Sequence, residues 1–405
     1  MRIIFFNRFF FPDPSATSQM VSDLALHLAR AGNEVHAVAS RSGNEAPVRE
    51  MRGITVHRAA DAGTESLSLP ARAGAYLRHY RGARAVARKL LARGDVVIVK
   101  TDPPLLSAAI GPIAASRGAR VVVWLQDLFP EVASEYGVPG IGGILGSPLR
   151  AARDRSLGAA DRVVAIGDRM AARIVRMRCV APERLHVIHN WADGRAITAL
   201  AAEANPLRAA WGMKDHFVVG YSGNLGRVHE FDTLLDAAIL LRGDSNIRFL
   251  IIGRGARLPQ VRKRVDTDRL SNVLFAPHQD RELLGQSLCV PDVHLCVLRP
   301  NFEGLVVPSK LYGGMASGRP TIFVGSPEGE AAAIIGRAQG GFTVSSGDAA
   351  GLARAIRRLR DAPDERRLLG AQARRAFERE YDLPVAMRHW ENVLALSVEA
   401  SAPRR

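Results

Sequence analysis

The sequence predicts two doubly wound α/β domains, each with a parallel β-sheet covered by helices. Three observations predict this fold. Short runs of β-branched residues alternate with longer amphipathic stretches, which is typical of successive βαβ units. The alternation stops between residues 190 and 214, where polar and Ala-rich sequence predominates, and then starts again. At 405 residues, the chain is also long enough for two domains with separate cores.

The first series of elements lies in residues 1–195, which we expect to form the first domain. Helices are predicted over residues 18–30 and 71–92, because apolar residues recur there at helical spacing. The strands predicted in this domain cover residues 3–6, 34–39, 54–58, 96–100, 121–125, 162–166 and 186–189.

The second series lies in residues 196–384 and predicts a second domain of the same class. Strands are predicted over residues 217–221, 248–252, 273–275, 293–297, 321–324 and 342–344, and helices over 230–242, 309–316 and 349–360. Residues 385–405 are expected to form a helix that packs on the first domain, followed by a frayed tail. Ligands of such sheets bind in a cleft at the carboxyl ends of the strands, so the residues that follow the strands are the candidates for function.

The formal charge of +15 comes from arginine, since only five of the 55 basic residues are lysines. Such a bias, together with abundant alanine, is also typical of a GC-rich genome. The basic character favours anionic partners such as phosphates or acidic lipids. A nucleic-acid partner is not expected, because no basic patch is interleaved with the aromatic residues that single-strand binders use.

The cysteines and the apolar segments predict a cytoplasmic protein. Cys179, Cys289 and Cys296 form no Cys-x-x-Cys pair, which favours free thiols over a disulfide framework or a zinc ribbon. The apolar start is too short for a signal peptide, and the longest apolar stretch, residues 103–116, is shorter than the ~20 residues that a membrane-spanning helix needs. Residues 71–93 predict a basic amphipathic helix, which either lies peripherally on an anionic inner membrane surface or forms an ordinary domain surface.

A glycine-rich turn follows the first strand of the second domain at residues 220–227 (GYSGNLGR). Its residues Gly223, Asn224 and Gly226 would let backbone N–H groups approach a phosphate, and the next helix N-terminus would add partial positive charge. Arg227 would add a full charge. The turn is neither a Walker loop nor a complete dinucleotide motif, and a purely structural turn remains the alternative.

A second candidate is Lys310, which lies in the first turn of the helix predicted over residues 309–316. A cation there opposes the helix dipole, which favours an anion at that end. An arriving diphosphate would resolve the conflict by meeting both Lys310 and the helix. The alternative is a solvated surface lysine.

Several carboxylates also follow predicted strands. Asp127 comes directly after a buried strand and could act as a general base, or it could cap a helix ahead of Pro130. Glu328 and Glu330 could accept hydrogen bonds from sugar hydroxyls, or they could simply favour a helix N-terminus. Glu303 is equally open to both interpretations.

Together these motifs resemble those of the retaining glycosyltransferases of family 4, which have the GT-B architecture of two facing Rossmann-like domains. The segments that carry the resemblance are residues 9–15, 27–35, 160–166, 187–193, 223–227, 252–255 and 315–320. Within the family, residues 127–131 and 308–312 resemble the branch that builds O-antigen and colanic-acid-type polysaccharides, which includes N-acetyl-L-fucosamine transferases.

The resemblance implies a nucleotide-sugar donor, UDP-linked in particular, and a glycan or polyprenyl-diphosphate-linked acceptor, with neither a cofactor nor a metal. Asp127, Arg227 and Lys310 are then the expected catalytic residues. The other residues expected to bind the donor are Gly223, Asn224, Gly226, Arg254, His278, Ser309, Tyr312, Glu328 and Glu330. Those expected in the acceptor loops of the first domain are Pro14, Ser15 and Glu131.

The sequence departs from the family pattern at two places. Gly313 stands where the second of two glutamates is usual, and Leu305 stands where the first is usual. Asp232 stands where the family has a lysine. Lys310 is the expected replacement for that charge, and Glu330 for the missing ribose ligand. A nucleotide-sugar epimerase or dehydrogenase is the alternative enzyme, but residues 7–12, after the first strand, lack the glycines of a dinucleotide site.

Overall fold

The computed structural model describes residues 1–13, 15–41, 46–61, 69–144, 146–277 and 279–399. The chain divides into two compact units: Met1–His189 with Met387–Arg405, and Asn190–Ala386. The second unit therefore begins a few residues before the boundary expected at residue 195. Pro14, His278 and the tail 401–405 lie outside the described residues.

The first unit is built on an eight-stranded sheet. Its strands are β1 (Arg2–Phe6), β2 (Glu34–Arg41), β3 (Val48–Met51), β4 (Ile54–Asp61), β5 (Val96–Lys100), β6 (Arg120–Trp124), β7 (Arg162–Ala165) and β8 (Leu185–Val187). Its helices are α1 (Ala16–Arg30), α2 (Leu69–Leu90), α3 (Leu106–Ser116), α4 (Glu131–Glu135), α5 (Gly146–Gly158) and α6 (Asp168–Met177). The strand order is β3-β4-β2-β1-β5-β6-β7-β8, and every pair is parallel except β3 with β4.

The second unit has a six-stranded, fully parallel sheet. Its strands are β9 (Phe217–Ser222), β10 (Ile247–Ile252), β11 (Val273–Ala276), β12 (Val293–Val297), β13 (Thr321–Gly325) and β14 (Gly341–Ser345). Its helices are α7 (Pro206–Ala210), α8 (Asp232–Leu240), α9 (Leu258–Thr267), α10 (Leu284–Leu288), α11 (Lys310–Ala316), α12 (Glu330–Ala338), α13 (Ala349–Asp361) and α14 (Pro363–Glu380). The order is β11-β10-β9-β12-β13-β14.

The chain ends in α15 (Leu383–Glu399), which begins in the second unit and belongs to the first from Met387 onwards. Trp390 of this helix is fully buried and packs edge-on against Trp124 at the end of β6, with 4.7 Å between ring centroids. Aromatic pairs of this geometry favour a fixed packing arrangement. The last helix is therefore part of the core of the first unit.

The predicted fold class is confirmed, because both sheets are doubly wound and carry their helices in alternation with the strands. Strand β3 escaped the prediction because most of its residues are exposed and form no apolar run. Helix α14 escaped it because its buried positions are mainly small residues, Gly370, Ala373 and Ala376, which give a weak apolar period. Among the described helices, none combines the length and the apolar character needed to span a membrane.

Candidate functional site

Three loops of the second unit meet at one edge of its sheet. They follow β9, β10 and β12, which are neighbours in the strand order, and they begin at the carboxyl ends of these strands. This edge is where ligands of doubly wound sheets bind. The loops contain most of the residues expected to bind a donor.

The loops after β9 and β10 touch backbone to backbone, and glycine permits the contact. Gly253 has a φ of +141°, and a Cβ atom on it would lie 2.0 Å from the carbonyl oxygen of Gly223. Gly255 has a φ of +147°, and its Cβ would lie 2.6 Å from the carbonyl oxygen of Leu225. Only glycine adopts such a backbone readily and leaves this space free. The glycines therefore build the turn itself.

Three backbone N–H groups of this turn are hydrogen-bonded within the protein, and the role expected of the turn at a phosphate stays a prediction. The pairs are Gly223 N–H with the carbonyl of Ile252 (2.9 Å), Leu225 N–H with the carbonyl of Arg254 (2.7 Å), and Gly226 N–H with Nδ1 of His229 (3.0 Å). The N-terminus of α8 is also occupied, since the Glu230 carboxylate accepts from the N–H of Thr233 at 3.0 Å. Charge at this edge must therefore come from side chains.

Lys310 is the basic side chain that lies along this turn. Its Cε lies 3.4 Å from the point where a Cβ on Gly223 would stand, so the side chain runs along the glycine turn. Its Nζ lies 2.7 Å from Nε2 of His229 and 5.1 Å from the ring centroid of Tyr221. The side chain is partly buried, and this burial lowers the pKa of the ammonium to about 8.

His229 is a site residue that the sequence did not reveal. It is buried between Tyr221 and Phe231, whose rings meet it edge-on at centroid distances of 6.1 and 6.3 Å. Burial and the neighbouring Lys310 hold the pKa of His229 well below its usual value. Its only sequence signal is its place three residues after Gly226 and three before the start of α8. That position does not predict contact with a lysine 81 residues away.

In the first unit, polar residues follow the adjacent strands β1, β5 and β6. Thr101, after β5, accepts hydrogen bonds at its hydroxyl from the N–H groups of Gln126 (3.1 Å) and Asp127 (3.4 Å), after β6. Asp102 forms an ion pair with Arg8, after β1, at 2.9 Å. The loops at this edge are thus tied together, and they fix the position of Asp127.

Lys100 is the second residue that the sequence did not reveal. It ends β5 and is 1% exposed, with its Nζ 3.9 Å from the ring centroid of Trp124 and 3.4 Å from the carbonyl oxygen of Thr17. Burial lowers the pKa of Lys100 to about 7, although the charges of Asp127 and Asp102 oppose that shift. The buried Lys100 side chain therefore interacts electrostatically with the carboxylates of Asp127 and Asp102 at this edge of the sheet.

The surrounding protein raises the pKa of Asp127 to about 6 by desolvation, and the like charge of Asp102 adds to the rise. Lys100 opposes it. The Asp127 side chain is solvent-exposed, so water reduces the effect of desolvation on this pKa. Asp127 does not cap a helix, since α4 has Pro130 at its N-cap. A carboxyl of this kind can exchange a proton near neutral pH.

Two protein-family models match the chain, one over most of each unit. The family model for Glycosyltransferase Family 4 matches residues 17–194, and the model for Glycosyl transferases group 1 matches residues 216–361. Each unit thus matches a glycosyltransferase family model, and the two Rossmann-like units have the GT-B fold.

Two curated relatives are 30% identical to this chain. The probable glycosyltransferase WbjE of Pseudomonas aeruginosa aligns over 264 residues, 65% of this chain and 66% of WbjE. The putative colanic acid biosynthesis glycosyl transferase WcaI of Escherichia coli strain K12 aligns over 210 residues, 51% of each chain. The aligned regions thus span from about half to just under two thirds of these relatives.

A solved structure, Alr3699/HepE of Anabaena in complex with UDP, superposes with a TM-score of 0.75 at 15% identity. The match covers 98% of this chain and 100% of HepE. HepE has also been solved in complex with UDP-glucose. At this identity, the likeness shows that the fold is shared.

The remaining residues predicted to bind the donor are either exposed or buried. Those on the surface are Asn224, Arg227, Arg254 and Glu328. Ser309 is the N-cap residue of α11, and its side chain makes no capping hydrogen bond. Tyr312 is fully buried, with its ring centroid 5.2 Å from that of Tyr381, so its side chain contributes to the core rather than to an accessible surface.

Glu330 is also buried. It begins α12 and is 1% exposed, and its N–H donates to Oε2 of Glu303 at 3.2 Å. A Cβ on the preceding Gly329 would lie 2.3 Å from Oε1 of Glu303. The Glu303 carboxylate therefore sits against the N-terminus of α12, where a negative charge is favoured. For Glu303, the contacts support the helix-stabilising interpretation.

Two acceptor-side residues of the first unit have structural roles. Glu131 receives a bidentate ion pair from Arg153, with N···O distances of 2.9 and 3.1 Å. Ser15 caps α1, where its hydroxyl accepts from the N–H of Ser18 at 3.3 Å. Asp127 is therefore the predicted acceptor-side carboxylate that is left at the surface.

Proposed function

We propose that this chain transfers a sugar from a nucleotide sugar, a UDP-sugar in particular, to an acceptor in cell-surface polysaccharide synthesis. The acceptor is a glycan or a sugar carried on a polyprenyl diphosphate. The observation that carries the donor half is the position of Lys310, a cation lying along a glycine turn at the carboxyl edge of the sheet. The complexes of HepE with UDP and UDP-glucose, and the name of WcaI, support this class of substrate and pathway.

In this proposal, Lys310 and Arg227 stabilise the leaving group. Negative charge grows on the donor diphosphate as the bond to the sugar breaks, and preorganised cations lower the barrier by meeting that charge. Two cationic side chains supply this stabilisation at the second unit, so we infer that transfer needs no metal ion. Retention of configuration at the sugar follows from the resemblance to the retaining family.

The donor class is tested by thermal shift with UDP-, GDP- and dTDP-sugars. A donor that binds the native state raises its apparent stability. We expect UDP-sugars to stabilise the protein most, and we expect Lys310→Ala and Arg227→Ala to reduce both that shift and the rate of transfer. Wild-type activity in both folded variants would disprove the assignment of the diphosphate site.

Asp127 is the proposed general base for the acceptor hydroxyl. A base must be ionised, so the rate of transfer is expected to fall as the pH drops through about 6, the pKa of Asp127. Asp127→Asn should remove most of the activity at every pH. A pH–rate profile of kcat/KM measures both effects, and an unchanged rate in Asp127→Asn would eliminate this role.

The proposed place of action is the cytoplasmic face of the membrane, where a lipid-linked acceptor is within reach. Helix α2 has buried Ala75, Ala83 and Ala87 on one side. Its exposed residues include the cations Arg78, Arg81, Arg84, Arg88 and Lys89, together with Leu77. A helix with a cationic outer face suits an anionic leaflet.

A further inference from the structure

A chain of two hydrogen bonds connects the glycine turn to Lys310 through His229. The N–H of Gly226 donates to Nδ1 of His229 at 3.0 Å. On the other side of the ring, Nε2 lies 2.7 Å from Nζ of Lys310. Because both ring nitrogens are engaged, the positions of the protons can be counted.

The number of protons available for these two hydrogen bonds requires that Lys310 is uncharged. Nδ1 of His229 accepts a hydrogen bond, so it has no proton, and the single proton of the neutral imidazole must be on Nε2. Nε2 therefore donates to Nζ of Lys310. An ammonium has three donors and no lone pair, so it cannot accept this bond, whereas a neutral amine can.

The groups that face Lys310 agree with this count. Tyr221 from β9 and Cys296 from β12 are fully buried, which raises the pKa of Tyr221 well above its usual value and that of Cys296 to about 12. Glu303, in the loop before α11, adds to the rise at Cys296. Both side chains are thus neutral near pH 8, and neither supplies a full negative charge to an ammonium in this position.

We propose that at alkaline pH Lys310 is a neutral amine in the ligand-free site and takes up one proton from solvent when a diphosphate binds. This inference rests on the proposed donor class. The diphosphate brings the negative charge that the site lacks, so the ammonium becomes stable beside it. Nζ and Nε2–H are then both donors, which cannot bond to each other, and both become available to phosphate oxygens. His229 is thereby a second ligand of the diphosphate.

Proton uptake on binding determines how the affinity for a diphosphate depends on pH. Lys310 has a pKa of about 8 in the free protein, and a bound diphosphate raises it. Because the complex holds the extra proton, binding weakens as the pH rises above about 8, with up to a tenfold rise in Kd per pH unit. Lys310→Arg keeps a charge throughout this range, so its affinity should not change between pH 7 and 9.5.

The first experiment titrates the free protein. The chain has only five lysines, so labelling with [13Cε]lysine gives few NMR signals, and the one lost in Lys310→Arg belongs to Lys310. We expect this signal to titrate near pH 8, well below the ordinary lysine value of about 10.4. A Lys310 signal that titrates near 10 would overturn the proposal without reference to any ligand.

The second experiment measures the proton taken up on binding. UDP is titrated calorimetrically at pH 8.5 in two buffers of unlike ionisation enthalpy. The wild type and the matched control Lys214→Arg should take up most of one proton per UDP, and Lys310→Arg should bind UDP without uptake. UDP binding without uptake by the wild type refutes this inference and leaves the donor class intact. If the protein binds no UDP at all, both the UDP-linked donor and the proton uptake on binding are refuted. The NMR titration still decides whether Lys310 is neutral in the free protein.

Discussion

Glycine has two different roles at Gly253 and Gly336. Gly253 lies in the left-handed region and faces a backbone carbonyl, whereas Gly336 is helical, within α12, and a Cβ on it would meet nothing within 4 Å. Gly253→Ala is expected to lower the free energy of unfolding by roughly 2 kcal/mol or more, through strain and the displaced turn. Gly336→Ala should raise it by about 0.5–1 kcal/mol, because alanine favours the helix.

Urea unfolding of the two variants measures this difference. If Gly253→Ala were as stable as Gly336→Ala, the contact between the loops after β9 and β10 would not have the role described. If Gly253→Ala is destabilised as expected, binding of UDP should weaken as well, because Lys310 runs along the same turn.

The sequence revealed some site residues and not others for a physical reason. Lys310 could be predicted, because a rare lysine in a helix first turn conflicts with the helix dipole. His229 and Lys100 could not, since their environments come from contacts that only the folded chain creates. In the sequence, Lys100 is only the last residue of an apolar strand. The folded structure places Trp124 and Asp102 near it.

At the scale of elements, the cationic face of α2 gives the clearest prediction. Flotation with liposomes that contain anionic lipid should carry the wild-type protein at low salt. Arg78, Arg81 and Arg84 each contribute about 1 kcal/mol to such binding, so their joint replacement by glutamine should abolish most of it.

The matched control replaces three exposed arginines of the second unit, Arg354, Arg367 and Arg375, by glutamine. It removes the same charge and should leave flotation intact. Equal loss in both triple variants would mean that net charge, rather than α2, drives binding. No flotation of the wild type at low salt would eliminate the membrane proposal.

Elements were predictable where burial leaves a pattern in the sequence. The parallel strands of both sheets were found because parallel strands are apolar on both faces, whereas the exposed antiparallel strand β3 was not. The phosphate role expected of the α8 N-terminus stays a prediction, and at that end the Glu230 carboxylate accepts a hydrogen bond from the N–H of Thr233. The identity of a cap depends on a side-chain conformation that spacing does not specify.

At the scale of the whole molecule, the fold followed from the break in the alternation between residues 190 and 214, close to where the second unit begins. The proposed division of labour is that the second unit binds the donor and the first the acceptor. Variants of Lys310 and Asp127 should therefore fail in different ways. Loss of Lys310 weakens donor binding, and loss of Asp127 leaves donor binding intact and stops transfer.

The most direct test is calorimetric titration of UDP into the wild type, Lys310→Met and Asp127→Asn at pH 7. A charge-assisted hydrogen bond contributes about 1.5–3 kcal/mol, so Lys310→Met should raise the Kd for UDP by about tenfold or more. Asp127→Asn should bind UDP as the wild type does. Wild-type affinity in a folded Lys310→Met variant would contradict the central claim that Lys310 holds the donor diphosphate.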